Sequence, residues 1–75
     1  MEKIDKKAKI LECTILEYIK TSTPIGSQLL QAIVDFDVSS ATILNYLKRM
    51  VEDGVLMQFH ISGGRVPSIE SLRDF

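Results

Sequence analysis

An α+β domain is predicted by three observations. Three helical stripes follow one another, a glycine closes the third, and the hydrophobic period then drops from about 3.6 residues to two. The chain has 75 residues, room for one domain. Its order is helix, link, helix, tight turn, helix, hairpin. That order predicts a winged helix-turn-helix, with a three-helix core over about residues 4–67 and a short C-terminal β-hairpin as the wing.

The first helix is expected over residues 4–21. Ile4, Ala8, Leu11, Ile15, Tyr18 and Ile19 share one stripe, and Ile10 widens it on one side. Lys6, Lys9, Glu12, Cys13, Glu17 and Lys20 lie mostly off it. Asp5 suits an N-cap, and Thr21-Ser22-Thr23-Pro24 ends the helix because proline disfavours helical geometry before it. Gly26-Ser27 reads as a turn followed by a cap. Leu30, Ile33 and Val34 then give a short helix ending near Asp35. Asp37 suits a left-handed turn position, with Phe36 and Val38 plugging the gap between helices.

Ser39 is expected to cap a third helix that runs to about Asp53, where Gly54 supplies the left-handed end. Ile43, Leu47 and Met50 face inward. Ala41, Asn45, Lys48, Arg49 and Glu52 face outward, with Thr42 on the flank. Residues 55–59 read as a strand, residues 60–64 contain a Gly63-Gly64 turn that permits positive φ, and Arg65-Val66-Pro67 returns. Ser68 is expected to cap a further helix over residues 69–75.

Net charge is −1, which by itself disfavours a polyanion as partner. The distribution is more favourable. From Ser39 to Arg65 three cations (Lys48, Arg49, Arg65) stand against two carboxylates (Glu52, Asp53), a surplus of one. A single copy should therefore hold DNA weakly, and a dimer on two half-sites would gain by engaging both. The one cysteine, Cys13, forms no internal disulfide and reads as an incidental thiol. With no membrane-length apolar run and no signal peptide, a cytoplasmic setting is expected.

The third helix has the division that groove reading needs: an apolar face to hold it on the domain and a small, polar and basic face opposite. The major groove is about 12 Å wide and admits one α-helix. Ser39, Ser40 and Thr42 sit at the helix start, where hydroxyls and free amides can meet phosphates. Asn45 can pair with an adenine edge. Lys48 and Arg49 suit phosphates. Ser27, like Ser39, suits a cap alone or a cap that also contacts phosphate. At the wing, Arg65 is the favoured contact. His60 suits a DNA contact or a hairpin-end role, and Gly64 lets the duplex come close. Tyr18 and Tyr46 suit packing rather than base stacking.

Three blocks resemble the N-terminal domain of the heat-inducible transcription repressor family HrcA. They are Glu17-Tyr18-Ile19-Lys20-Thr21 with Pro24-Ile25-Gly26-Ser27, then Val38-Ser39-Ser40-Ala41-Thr42-Ile43 with Asn45, then His60 with Ser62-Gly63-Gly64-Arg65-Val66-Pro67. The likeness spans about residues 9–68 without gaps. It implies a repressor of chaperone operons that binds an inverted-repeat operator, CIRCE, as a dimer and is modulated by the chaperonin GroEL, with the helix over residues 69–75 leading to a C-terminal dimerisation domain outside the chain. It adds Ala41 to the expected DNA-contacting set. Many members carry arginine after the isoleucine of the middle block, then asparagine and aspartate; here the residues are Leu44, Asn45 and Tyr46.

Leu44 and Val51 lie on one flank of the third helix, where they can pack on the hairpin or face a partner subunit. They motivate the alternative of a protein-interaction module without DNA binding, with these two residues at the interface. Catalysis is not expected. The sequence holds no nucleophile–base motif, no metal-ligand set, no phosphate loop and no sign of a cofactor or small-molecule substrate.

Overall fold

The computed structural model describes residues 5–58 and 64–74. Its elements are α1 (Lys6–Thr21), α2 (Ser27–Ile33), α3 (Ser40–Glu52), β1 (Leu56–Gln58), β2 (Arg65–Pro67) and α4 (Ile69–Asp74). The architecture is the α+β winged helix-turn-helix that the sequence predicts. Ile4, His60, Ser62 and Gly63, all named above, lie outside the described residues, as do the last positions, 59 and 75, of the expected strand and final helix.

Local chemistry sets the helix ends. The Asp5 carboxylate accepts from the Ala8 amide at 3.1 Å. At the other end of α1, Ser22 adopts a left-handed conformation (φ 57°), and its amide donates to the Tyr18 carbonyl at 2.7 Å. Pro24 follows two residues later, as is common after such a stop. Ser39 caps α3, its hydroxyl accepting from the Thr42 amide at 3.1 Å. Gly54 (φ 82°) closes α3 in a Schellman arrangement: the Gly54 amide donates to Val51 at 3.1 Å and the Val55 amide to Met50 at 3.0 Å. Ser68 caps α4 by accepting from the Ser71 amide at 3.2 Å.

Several expectations are corrected. Ser27 is the first residue of α2, not its cap; Gly26 holds that position without a side-chain bond. α2 ends at Ile33, because Val34 is already extended. The left-handed non-glycine residue among those described is Ser22, not Asp37. The α1 stripe is rotated. Ile10, Thr14 and Ile15 are buried, whereas Ala8 is exposed and Ile19 is 56% exposed. Thr14 can sit at the centre because its hydroxyl donates to the Ile10 carbonyl at 2.7 Å. A stripe drawn through apolar residues alone passes it by. The rotation also carries Cys13 onto the core, where it packs half-buried.

The core consists of Ile10, Ile25, Leu30, Ile43, Leu47, Met50 and Leu56, each at most 1% exposed. Phe36 and Val38 pack against it from the α2–α3 turn, and Tyr18 and Tyr46 pack beside it. β1 and β2 pair antiparallel, with Leu56 opposite Pro67, Met57 opposite Val66 and Gln58 opposite Arg65. Arg65 pairs on its other side with Ile25, from the link between α1 and α2. The hairpin is thereby extended by one residue from the helical core. α4 follows β2 directly and is tied to the residue before β1, the Ser71 hydroxyl donating to the Val55 carbonyl at 2.7 Å.

Candidate nucleic-acid interface

α3 is anchored by Ile43, Leu47 and Met50, all fully buried. One side of the helix is thus fixed and the opposite side must face solvent. Ala41, Thr42, Asn45, Lys48 and Arg49 are exposed there. Thr42, Asn45, Tyr46, Lys48, Arg49 and Glu52 surround a shallow depression of about 370 Å³. Neither Lys48 nor Arg49 has a side-chain partner among the described residues, so both charges are available to an anion.

The N-terminal hydroxyls divide by role. The Ser39 hydroxyl accepts from the Thr42 amide and donates to Thr42 Oγ1 at 3.0 Å. It is therefore committed to the cap, while the Thr42 hydroxyl keeps its proton for an outside acceptor. Ser40 is half-buried. Ser27 lies on the neighbouring depression, of about 340 Å³, between the start of α2 and the root of the hairpin.

The wing root is more tightly built than a turn requires. Gly64 is buried, and it is not among the described glycines with positive φ. Glycine is needed there for space instead. An added Cβ would come within 2.7 Å of the Pro24 Cβ and 3.0 Å of the Pro24 carbonyl carbon. Arg65 is only 6% exposed, so it sits in the root of the wing rather than at a displayed tip. His60 lies outside the described residues.

Leu44 and Val51 part company. Val51 packs against the core cluster, whereas Leu44 lines the second depression together with Gln28 and Leu29 of α2. Ile25 and Gln28 were not singled out by sequence reasoning. A β-branched residue between Pro24 and Gly26 is a signal for extended backbone that could have marked Ile25; no comparable signal marks Gln28.

Burial pushes the Cys13 thiol pKa up, with the Glu12 and Asp35 carboxylates adding to the effect. A thiol protonated in this way is a poor nucleophile. Among the described residues no cluster of three metal-ligating side chains occurs, and no helix is long and apolar enough to cross a membrane.

No family model matches the chain. Proteins named heat-inducible transcription repressor HrcA do match it. The one from Lachnoclostridium phytofermentans is 40% identical over 73 residues, covering 97% of this chain and 21% of that protein. The one from Synechocystis sp. is 45% identical over 69 residues, covering 92% and 18%. The one from Clostridium tetani is 42% identical over 73 residues, covering 97% and 21%. A crystal structure described as that of a hypothetical protein superposes with a TM-score of 0.87 at 37% identity, over 95% of this chain and 23% of that one. The chain spans about a fifth of the length of the curated relatives it matches. With this fold, and with this identity along nearly all of its length, the chain corresponds to the N-terminal part of the heat-inducible transcription repressors HrcA.

Proposed function

We propose that the chain reads double-stranded DNA through α3, as part of a repressor of heat-shock chaperone operons that binds an inverted-repeat, CIRCE-like operator as a dimer. The observation that carries this is the division of α3: one face is locked in the core, and the other displays Thr42, Asn45, Lys48 and Arg49 with both cations unpartnered among the described residues. Asn45 is assigned to an adenine edge, Lys48 and Arg49 to phosphates, and Thr42, Ser40 and Ser27 to phosphates at the helix starts. Ala41 keeps the reading face low. Ser39 fixes the start of α3, Gly64 and Arg65 hold the root of the wing, and His60 is assigned by its sequence position alone to a further DNA contact. Dimerisation and modulation by GroEL are assigned to the remainder of such a repressor.

The test is binding of the chain, fused to a dimerising coiled coil, to an inverted-repeat duplex and to a scrambled one at several salt concentrations. Tighter binding to the repeat, weakening as salt rises, is expected. Equal affinity for both duplexes, or no binding at low salt, would sink the proposal. Leu44 beside Leu29, which is 41% exposed, favours a second function, capture of a protein partner. That alternative predicts self-association or partner binding that persists without DNA and is lost in Leu44→Asp.

A further inference from the structure

Resting on the DNA-binding function above, we propose that Leu44 makes the chain select thymine at one position of each half-site, through contact with the thymine C5-methyl group. An α-helix with its side chains is about 10–12 Å across, close to the width of the major groove, so the flanks of a docked helix touch the groove as well as its outermost line. Asn45 stands near the centre of the outward face of α3. Leu44, one residue earlier, lies ~100° around the helix on the flank nearer α2. It is half-buried, with part of its surface open into the depression it shares with Ser27, Gln28 and Leu29. Leu44 and Leu29 thus set an apolar spot on this flank, among the polar Ser27, Gln28 and Arg65, where the Thr42 flank offers a hydroxyl. Among the base edges of the major groove, the distinctive apolar group is the thymine methyl. Phosphates or the polar edges of guanine and cytosine would gain nothing from Leu44 and would lose water against it.

The chain, immobilised at high density, selects duplexes from a randomised pool at low salt. Each thymine of the enriched sequence is then replaced singly by deoxyuridine, which removes only the methyl. At one position per half-site the loss should weaken binding about fourfold. The effect should vanish in Leu44→Ala and persist in Leu44→Met. In Leu44→Arg the preference at that position should change from thymine to guanine. Each ratio compares two duplexes on one protein, so a variant's own loss of stability cancels. Deoxyuridine tolerated at every position, or a methyl effect as large in Leu44→Ala as in the unsubstituted chain, overturns the proposal and leaves DNA reading intact. Failure to enrich any sequence at low salt overturns DNA reading, and this proposal with it.

Discussion

Ile25 and Arg65 exchange both backbone hydrogen bonds, the Ile25 amide donating to Arg65 at 2.8 Å and the Arg65 amide to Ile25 at 2.9 Å. This pair fastens the hairpin to the link between α1 and α2. It fixes the wing relative to α3, because Ile25 and Ile43 belong to one buried cluster.

The fastening needs glycine at position 64. Gly64→Ala forces a methyl to 2.7 Å from the Pro24 Cβ. Overpacking of this kind costs about 1–3 kcal/mol, so the melting temperature should fall by several degrees. An added Cβ at Gly26 meets nothing within 4 Å, so Gly26→Ala should escape this clash. Thermal unfolding followed by circular dichroism compares the two.

Ser39 precedes α3 and Ser27 begins α2, and of the two Ser39 makes a side-chain cap. Ser39→Ala should destabilise the chain by about 1 kcal/mol. Ser27→Ala should change stability by less than about 0.5 kcal/mol. Equal effects in denaturant titrations would contradict the cap assignment.

Lys48→Ala and Arg49→Ala remove exposed cations that have no partners among the described residues. Stability should hold within about 0.5 kcal/mol, since no buried contact is lost. Binding of duplex DNA should weaken, and the slope of log affinity against log salt should shrink by about 0.9 for each phosphate contact removed. An unchanged slope would exclude a phosphate role for the residue tested.

Cys13 carries a thiol whose pKa is raised by burial. The folded chain therefore holds that proton more tightly than the unfolded chain. Its contribution to stability is fully present below the ordinary thiol pKa and is lost as pH rises from there through the raised value of the folded chain. Alkylation at mildly alkaline pH should be slow in the native chain and fast in denaturant. Cys13→Ala should flatten the alkaline loss of stability. Native labelling as fast as in denaturant would show that Cys13 is not packed on the core.

Much of the fold was legible because its signals are local. Caps at Asp5, Ser39 and Ser68 and the stop at Gly54 each involve residues within one or two turns of each other. The inward face of α3 was legible because Ile43, Leu47 and Met50 repeat at helical spacing on a helix covered along one side. The candidate reading face followed as its complement. The orientation of α1 was not legible, since a satisfied hydroxyl, that of Thr14, takes a core position that hydropathy reserves for an aliphatic residue.

The sequence alone determined the order of elements, the ends of α1 and α3, the start of α4, and which side of α3 is free to meet another molecule. Only the tertiary structure decided that Ile25 extends the hairpin, that Gly64 is glycine because Pro24 lies against it, and that Arg65 is buried in the wing root. It also set Leu44 in a cleft while Val51 joined the core. The reason is physical. Caps and periodicity are interactions between chain neighbours, whereas these outcomes depend on contacts between segments far apart in the sequence, and such contacts exist only once the core has closed.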